Sequence, residues 1–97
     1  MYARVARFEG ADADALRQSA REIGASAGEG PPEGVPAKGF TMLIDPDSGS
    51  SLAISLFETE EDLRKGDETL DAMNPGHPGA GQRSSVETYE VAVDLRL

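Results

Sequence analysis

Phe40-Thr-Met-Leu-Ile-Asp-Pro-Asp-Ser-Gly-Ser-Ser-Leu-Ala-Ile-Ser-Leu-Phe57 reads as two strands folded back on one another. Phe40, Met42 and Ile44 alternate with Thr41 and Leu43, and Leu52, Ile54 and Leu56 alternate with Ala53, Ser55 and Phe57. Between them, Asp45-Pro46-Asp47-Ser48-Gly49-Ser50 has the residues of a chain reversal, so this is a hairpin of a second and a third strand. On its N-terminal side, Tyr2 to Glu9 mixes Val5 and Phe8 with Arg4 and Arg7 as a first strand that Gly10 ends. Ala13, Leu16, Ala20 and Ile23 then recur at helical spacing behind Asp12 or Asp14 as cap, and this helix ends near Gly24 to Gly28. The stretch 28–36 holds three prolines and three glycines and reads as loop.

On the C-terminal side, Thr59-Glu60-Glu61-Asp62 is close to a capping box and opens a second helix that runs to about Met73. Its inward stripe is expected at Leu63, Gly66 or Asp67, Leu70 and Met73, with Asn74-Pro75-Gly76 as the stop. After a loop to about Ser84, Tyr89, Val91, Val93 and Leu95 alternate with Thr88, Glu90, Ala92 and Asp94 as a fourth strand. The order is βαββαβ. It predicts one α+β, ferredoxin-like domain over 1–97, a four-stranded antiparallel sheet with both helices on one face.

On strands two to four one parity is large and apolar and is expected to face the helices. The other mixes Thr41, Leu43, Ala53, Ser55, Phe57, Thr88, Glu90 and Ala92, too apolar for a solvated face and too polar for a core. Contact with the sheet of a second copy accounts for that mixture, so a homodimer is expected. A 97-residue chain has a thin core, which a second copy would thicken.

Nine basic against eighteen acidic residues give a net charge of −9, a field that repels phosphate backbones and anionic lipid heads. Neither nucleic acid nor membrane is an expected partner. No apolar run approaches a membrane span or a signal-peptide core, and the expected location is cytoplasmic. The chain has no cysteine, hence no disulfide, thiolate nucleophile or Cys-based zinc site.

Few residues offer chemistry. His77, the single histidine, stands in Asn74-Pro-Gly-His-Pro-Gly-Ala-Gly81 and can act as a base near neutral pH, although an exposed loop histidine is the plainer reading. Arg4 and Arg7 fall on opposite faces of strand one; one can bind an anion while the other pairs with Glu90 or Asp94 of the strand beside it. Tyr2, Phe40, Met42, Ile54 and Met73 can line an apolar cavity between sheet and helices, or simply pack as core. The carboxylates from Glu58 to Asp71 spread around helix two as a solvated acidic face, and no metal site is expected. RNA-binding and acylphosphatase relatives of this topology are disfavoured, the first by the absence of exposed aromatics on strand three, the second by acidic Phe8-Glu-Gly-Ala-Asp12.

Tyr2-Ala-Arg-Val-Ala-Arg-Phe8, the long first helix, Gly39-Phe-Thr-Met-Leu-Ile-Asp45 and Leu52-Ala-Ile-Ser-Leu-Phe-Glu-Thr-Glu-Glu-Asp-Leu63 resemble the dimeric α/β barrel proteins, in particular the small antibiotic biosynthesis monooxygenase-like group. The resemblance spans the chain as a pattern. It implies two subunits whose sheets pack into a barrel, with a ligand cavity in each between sheet and helices. Some members oxidise polycyclic phenolic substrates with O₂ and no cofactor; others degrade haem. Haem-degrading relatives carry a histidine on the second helix and rely on a tryptophan and an asparagine, whereas here helix two has no histidine and the chain no tryptophan. Binding of neither haem nor a transition metal is expected. The cofactor-free members use Trp, Tyr, Arg and Asn around the substrate, of which this chain offers Tyr2, Tyr89, Arg4, Arg7 and Asn74. The resemblance thus implies a small-molecule-binding homodimer, with cofactor-independent monooxygenase chemistry on a small aromatic ligand and with Arg4, His77 and Tyr2 as candidate catalytic groups. A non-catalytic structural dimer, its cavity filled by its own side chains, is the competing expectation. The loops 28–36 and 75–84 are candidate lids.

Overall fold

The computed structural model describes residues 1–27, 30, 34–72 and 81–95. The elements are β1 (Tyr2–Glu9), α1 (Ala13–Ala27), β2 (Gly39–Asp45), β3 (Ser50–Phe57), α2 (Glu60–Ala72) and β4 (Gln82–Glu90). All strand pairs are antiparallel in the order β2-β3-β1-β4, and the two helices cover one face, which is the ferredoxin-like arrangement. Both helices start as their sequences indicate. Asp12 Oδ1 accepts a hydrogen bond from Ala15 N at 2.8 Å, and Thr59 Oγ1 accepts one from Asp62 N at 3.1 Å. Gly49 closes the β2–β3 turn at φ +73°, and a Cβ there would stand 2.2 Å from the Ala11 carbonyl oxygen. That position admits only glycine for two separate reasons.

Register corrects the expected division of the faces. Asp45 pairs with Ser50 across a turn of four residues, so even-numbered residues of β2 stand opposite odd-numbered residues of β3. Phe40, Met42 and Ile44 therefore share a face with Ser55, Ala53 and Ser51, and β1 adds Tyr2, Arg4, Ala6 and Phe8 to it. This is the helix side. Phe57, fully buried, touches Gly66 of α2, and Arg4 reaches Asp67 of α2. The opposite face carries Ala3, Val5, Thr41, Leu43, Leu52, Ile54 and Leu56, which places the large residues of β3 outward and Ala53, Ser55 and Phe57 inward, the reverse of the expectation.

The fourth strand also differs from its expected bounds. It begins at Gln82, so part of the expected 75–84 loop is strand, and it ends at Glu90. Tyr2 pairs with Glu90, after which β1 is exhausted. One more bond forms, from Val91 N to Met1 O at 2.9 Å, and Val93 and Leu95, 75% and 76% exposed, have no strand beside them. Alternation alone cannot make a strand without a neighbour to bond to.

The packed centre is small. Val35, Phe57 and Leu63 form a buried cluster flanked by Tyr2, Ala37 and Leu70, and Leu16 is buried on α1. On the outward face Val5, Leu52, Ile54 and Leu56 are half-buried and Leu43 is 49% exposed.

Candidate functional site

The helix side of the sheet carries small residues along its middle. Ala6, Ser51, Ala53 and Ser55 occupy the two central strands, between Phe40, Met42 and Ile44 on β2 and Arg4 on β1. Such a row lets the helices approach closely or leaves room beneath them. Ala6, Ser51 and Ser55 in the middle of this face are buried, whereas Met42 and Phe40, 45% exposed, lie on the edge strand β2, so the face is open at the β2 edge and covered at its centre.

Arg4 stands at one end of this trough. Opposite Ser55 on β3 and Thr88 on β4, it projects beneath α2 and is 5% exposed. Its Nε donates to Asp67 Oδ1 at 2.7 Å, and its Nη2 lies 3.9 Å from Asp71 Oδ1, too far for a hydrogen bond. Asp71, one helical turn beyond Asp67, instead pairs with Arg83 Nη1 of β4 at 2.7 Å. Two guanidinium groups and two carboxylates balance in charge, yet among the described residues Arg4 Nη2 is buried with no hydrogen-bond partner. The hydroxyls of Ser19, on α1, and Ser51, on β3, are likewise buried and without a partner among the described residues. A buried donor without an acceptor is costly, about 1–3 kcal/mol, which makes these three groups the chemical focus of the interlayer space.

Of the residues singled out from sequence, Arg4 and Tyr2 come together on the helix side, two positions apart on β1, with Tyr2 packed on the Val35–Phe57–Leu63 cluster. Phe40 and Met42 lie on the same side. Ile54 does not: it faces outward, because odd and even residues are opposed across the hairpin. Met73 and His77 lie outside the described residues, as do most of the expected lid segments. Arg7 is on the outward face, 3.9 Å from Glu9. Glu90 or Asp94 was the expected partner of one of the two arginines; Arg4 pairs instead with Asp67, since α2 passes directly over β1. Asp67, Asp71, Arg83, Ser19 and Ser51 were not anticipated. A signal for Asp67 existed: an acid on the inward stripe of an amphipathic helix requires a cation beneath it.

On the outward face Tyr89 donates to Glu87 Oε2, and this hydrogen bond, together with the repulsion of the carboxylate, raises the phenol above its usual value of 10.0. The proton-bound form is the one the fold favours, so this contribution is complete below pH 10 and is lost as pH rises through the folded-state value. The ultraviolet titration of Tyr89 should run late. Glu87→Gln should bring it back toward 10; a late component that survives this change would refute the assignment.

Among the described residues no group of three or more His, Cys, Asp or Glu is placed to hold a metal ion, and no helix is long and apolar enough to cross a membrane. A shallow hollow of about 290 Å³ lined by Gly34, Val35, Pro36, Asp62 and Lys65 is open to solvent.

No family model matches the chain, and no curated protein sequence does. Among solved structures it is similar to the MhuD R26S mutant, crystallised with two manganese protoporphyrin IX bound per active site. The two chains share 17% identity at a TM-score of 0.59, over 98% of this chain and 97% of that one. The likeness is one of fold, and it extends over the whole length of both chains. A porphyrin does not fit the described residues. α2 offers carboxylates and no histidine, and it sits so close to β3 that a Cβ on Gly66 would stand 2.4 Å from the Phe57 ring.

Proposed function

We propose that this chain is a cytoplasmic homodimeric small-molecule-binding protein of a single domain, with the ligand held between sheet and helices beside Arg4, Tyr2, Phe40 and Met42. One observation carries the reading: the two faces of the sheet are unequal in the way a ligand-holding dimer needs. The helix side has small residues along its middle and buried polar groups without a partner among the described residues, while the helix-free side offers Val5, Leu52, Ile54 and Leu56 for burial against a second copy. Burial of such aliphatic area is worth roughly 25 cal/mol per Å², and a small domain has little other apolar area to bury.

Light scattering at micromolar concentration should give twice the chain mass, and Ile54→Lys should give monomer. Ser55 is not the position for this test, since it faces the helices. A monomeric parent protein, or a dimer indifferent to Ile54→Lys and Thr41→Lys together, would remove the interface.

The enzymatic form of the reading is a cofactor-independent monooxygenase acting on phenolic or polycyclic substrates. A phenolic or enolic proton leaves the substrate, the resulting anion reacts with O₂, one oxygen atom enters the product as a carbonyl and the other departs as water with the two displaced hydrogens. Arg4 Nη2 supports this role as a buried donor for the developing oxyanion, with Tyr2 and His77 as proton carriers. Oxygen uptake with anthrone-type compounds, without added metal or flavin, tests it; Arg4→Met should abolish uptake while the dimer persists. The second reading, a structural dimer without a ligand, is favoured by the self-filled end of the layer, where Phe57 meets Gly66. No thermal shift with any aromatic ligand would support that reading instead.

A further inference from the structure

The chain carries a strand pattern without an edge to pair with, and an edge without a strand. Past Glu90, Val91, Val93 and Leu95 alternate with Ala92 and Asp94, the pattern of a half-buried strand. There β1 has ended, and its ladder with β4 closes at Val91 N, bonded to Met1 O at 2.9 Å. Val93 and Leu95, 75% and 76% exposed, are the most exposed large apolar side chains among the described residues. On the far side of the sheet β2 is an edge, with no strand beside it among the described residues. From Gly39 to Ile44 it holds no charge and no proline, the devices by which a free edge avoids pairing. Phe40 and Leu43, on opposite faces of β2, are 45% and 49% exposed. The other edge, β4, does carry charges, at Arg83, Glu87 and Glu90.

Within one chain the two features cannot meet. β2 and β4 are three strand spacings apart, about 14 Å, and crossing that distance would use about four of the five residues 91–95 before any pairing began. Between two copies they can meet, and a two-fold axis makes the exchange reciprocal. Charge selects the edge. Residues 91–95 laid on β4 of a second copy, or on their own counterpart, would set Asp94 near Glu87, Glu90 or another Asp94, whereas β2 offers no like charge from Gly39 to Ile44. That edge is also continuous with the helix-free face, to which Thr41 and Leu43 belong. We infer that residues 91–95 of each copy pair with the outer edge of β2 of the other, so that strand exchange covers Val93 and Leu95. This rests on the homodimer reading above and adds a second contact to it.

The test compares the full-length protein with a variant carrying Val93→Asp and Leu95→Asp together, by sedimentation and by amide hydrogen exchange resolved to single residues. About half of the β2 amides point away from β3, and in a lone edge strand these exchange freely. In the parent dimer they should be protected. The variant should lose that protection and dissociate at least about tenfold more readily, the scale of one lost apolar anchor. Both side chains are exposed in the single chain, so at a concentration where both proteins are monomeric the two melting temperatures should agree. A lower value for the variant there would place Val93 and Leu95 in the chain's own fold and overturn the inference. So would a variant dimer as tight as the parent, or a parent dimer whose outward β2 amides exchange freely; in either case the face-to-face dimer, tested by Ile54→Lys, stands without strand exchange. A parent protein that is monomeric at micromolar concentration removes both.

Discussion

Asp67→Ala is expected to lower stability by about 3 kcal/mol, whereas Arg4→Met should cost less than half as much. The two changes break the same 2.7 Å bond, and the asymmetry comes from burial: Arg4 is 5% exposed and Asp67 39%. Removing the aspartate strands a guanidinium out of water, with its next carboxylate 3.9 Å away and engaged by Arg83. Removing the arginine leaves a carboxylate that turns to solvent, and methionine refills most of the volume. Urea unfolding of the two variants and of the double variant reads this directly. The double variant should be close to Arg4→Met alone, because without the buried cation the aspartate has little left to do. Equal losses in the two single variants would mean that the pair behaves as an exposed ion pair, worth only a few tenths to about 1 kcal/mol, and that Arg4 is hydrated after all.

Gly66→Ala should be the most damaging single-methyl change in α2, at about 1–3 kcal/mol. Its Cβ would lie 2.4 Å from Phe57 Cε1 and 2.5 Å from Cζ, and Phe57 is fully buried, so the helix must lift from the sheet. Gly24→Ala on α1 is the control: nothing lies within 4 Å of its Cβ, and the better helix propensity of alanine should leave that variant unchanged or stabilised by about 0.5–1 kcal/mol. Lifting α2 also raises Asp67 and Asp71 over Arg4, so the Gly66 variant should lose ligand affinity together with stability. A Gly66→Ala protein as stable as its parent would show that the α2–β3 contact is not tight.

Local signals in the sequence were sufficient for every element but β4. The alternation around the Asp45–Ser50 turn, the Asp12 and Thr59 caps and the apolar spacing of α1 and α2 depend on neighbours a few residues away, and each appears where its residues place it. Arg4 and Arg7 fall on opposite faces of β1, as parity requires.

Tertiary structure decided what local signals cannot carry. Which face of β3 meets the helices depends on the number of residues in the turn that are not paired; one residue more or fewer would have put Ile54 inside and Phe57 outside. The end of β4 was set by the length of its neighbour β1, since a strand exists only where another strand supplies its hydrogen bonds. The partner of Arg4 was set by the path of α2 across the sheet, which brings Asp67 to a residue 63 positions away. Composition and periodicity thus determined an acidic βαββαβ chain with a small core, while register and helix placement determined the buried arginine and the unsatisfied serines, because those depend on contacts between segments distant in sequence.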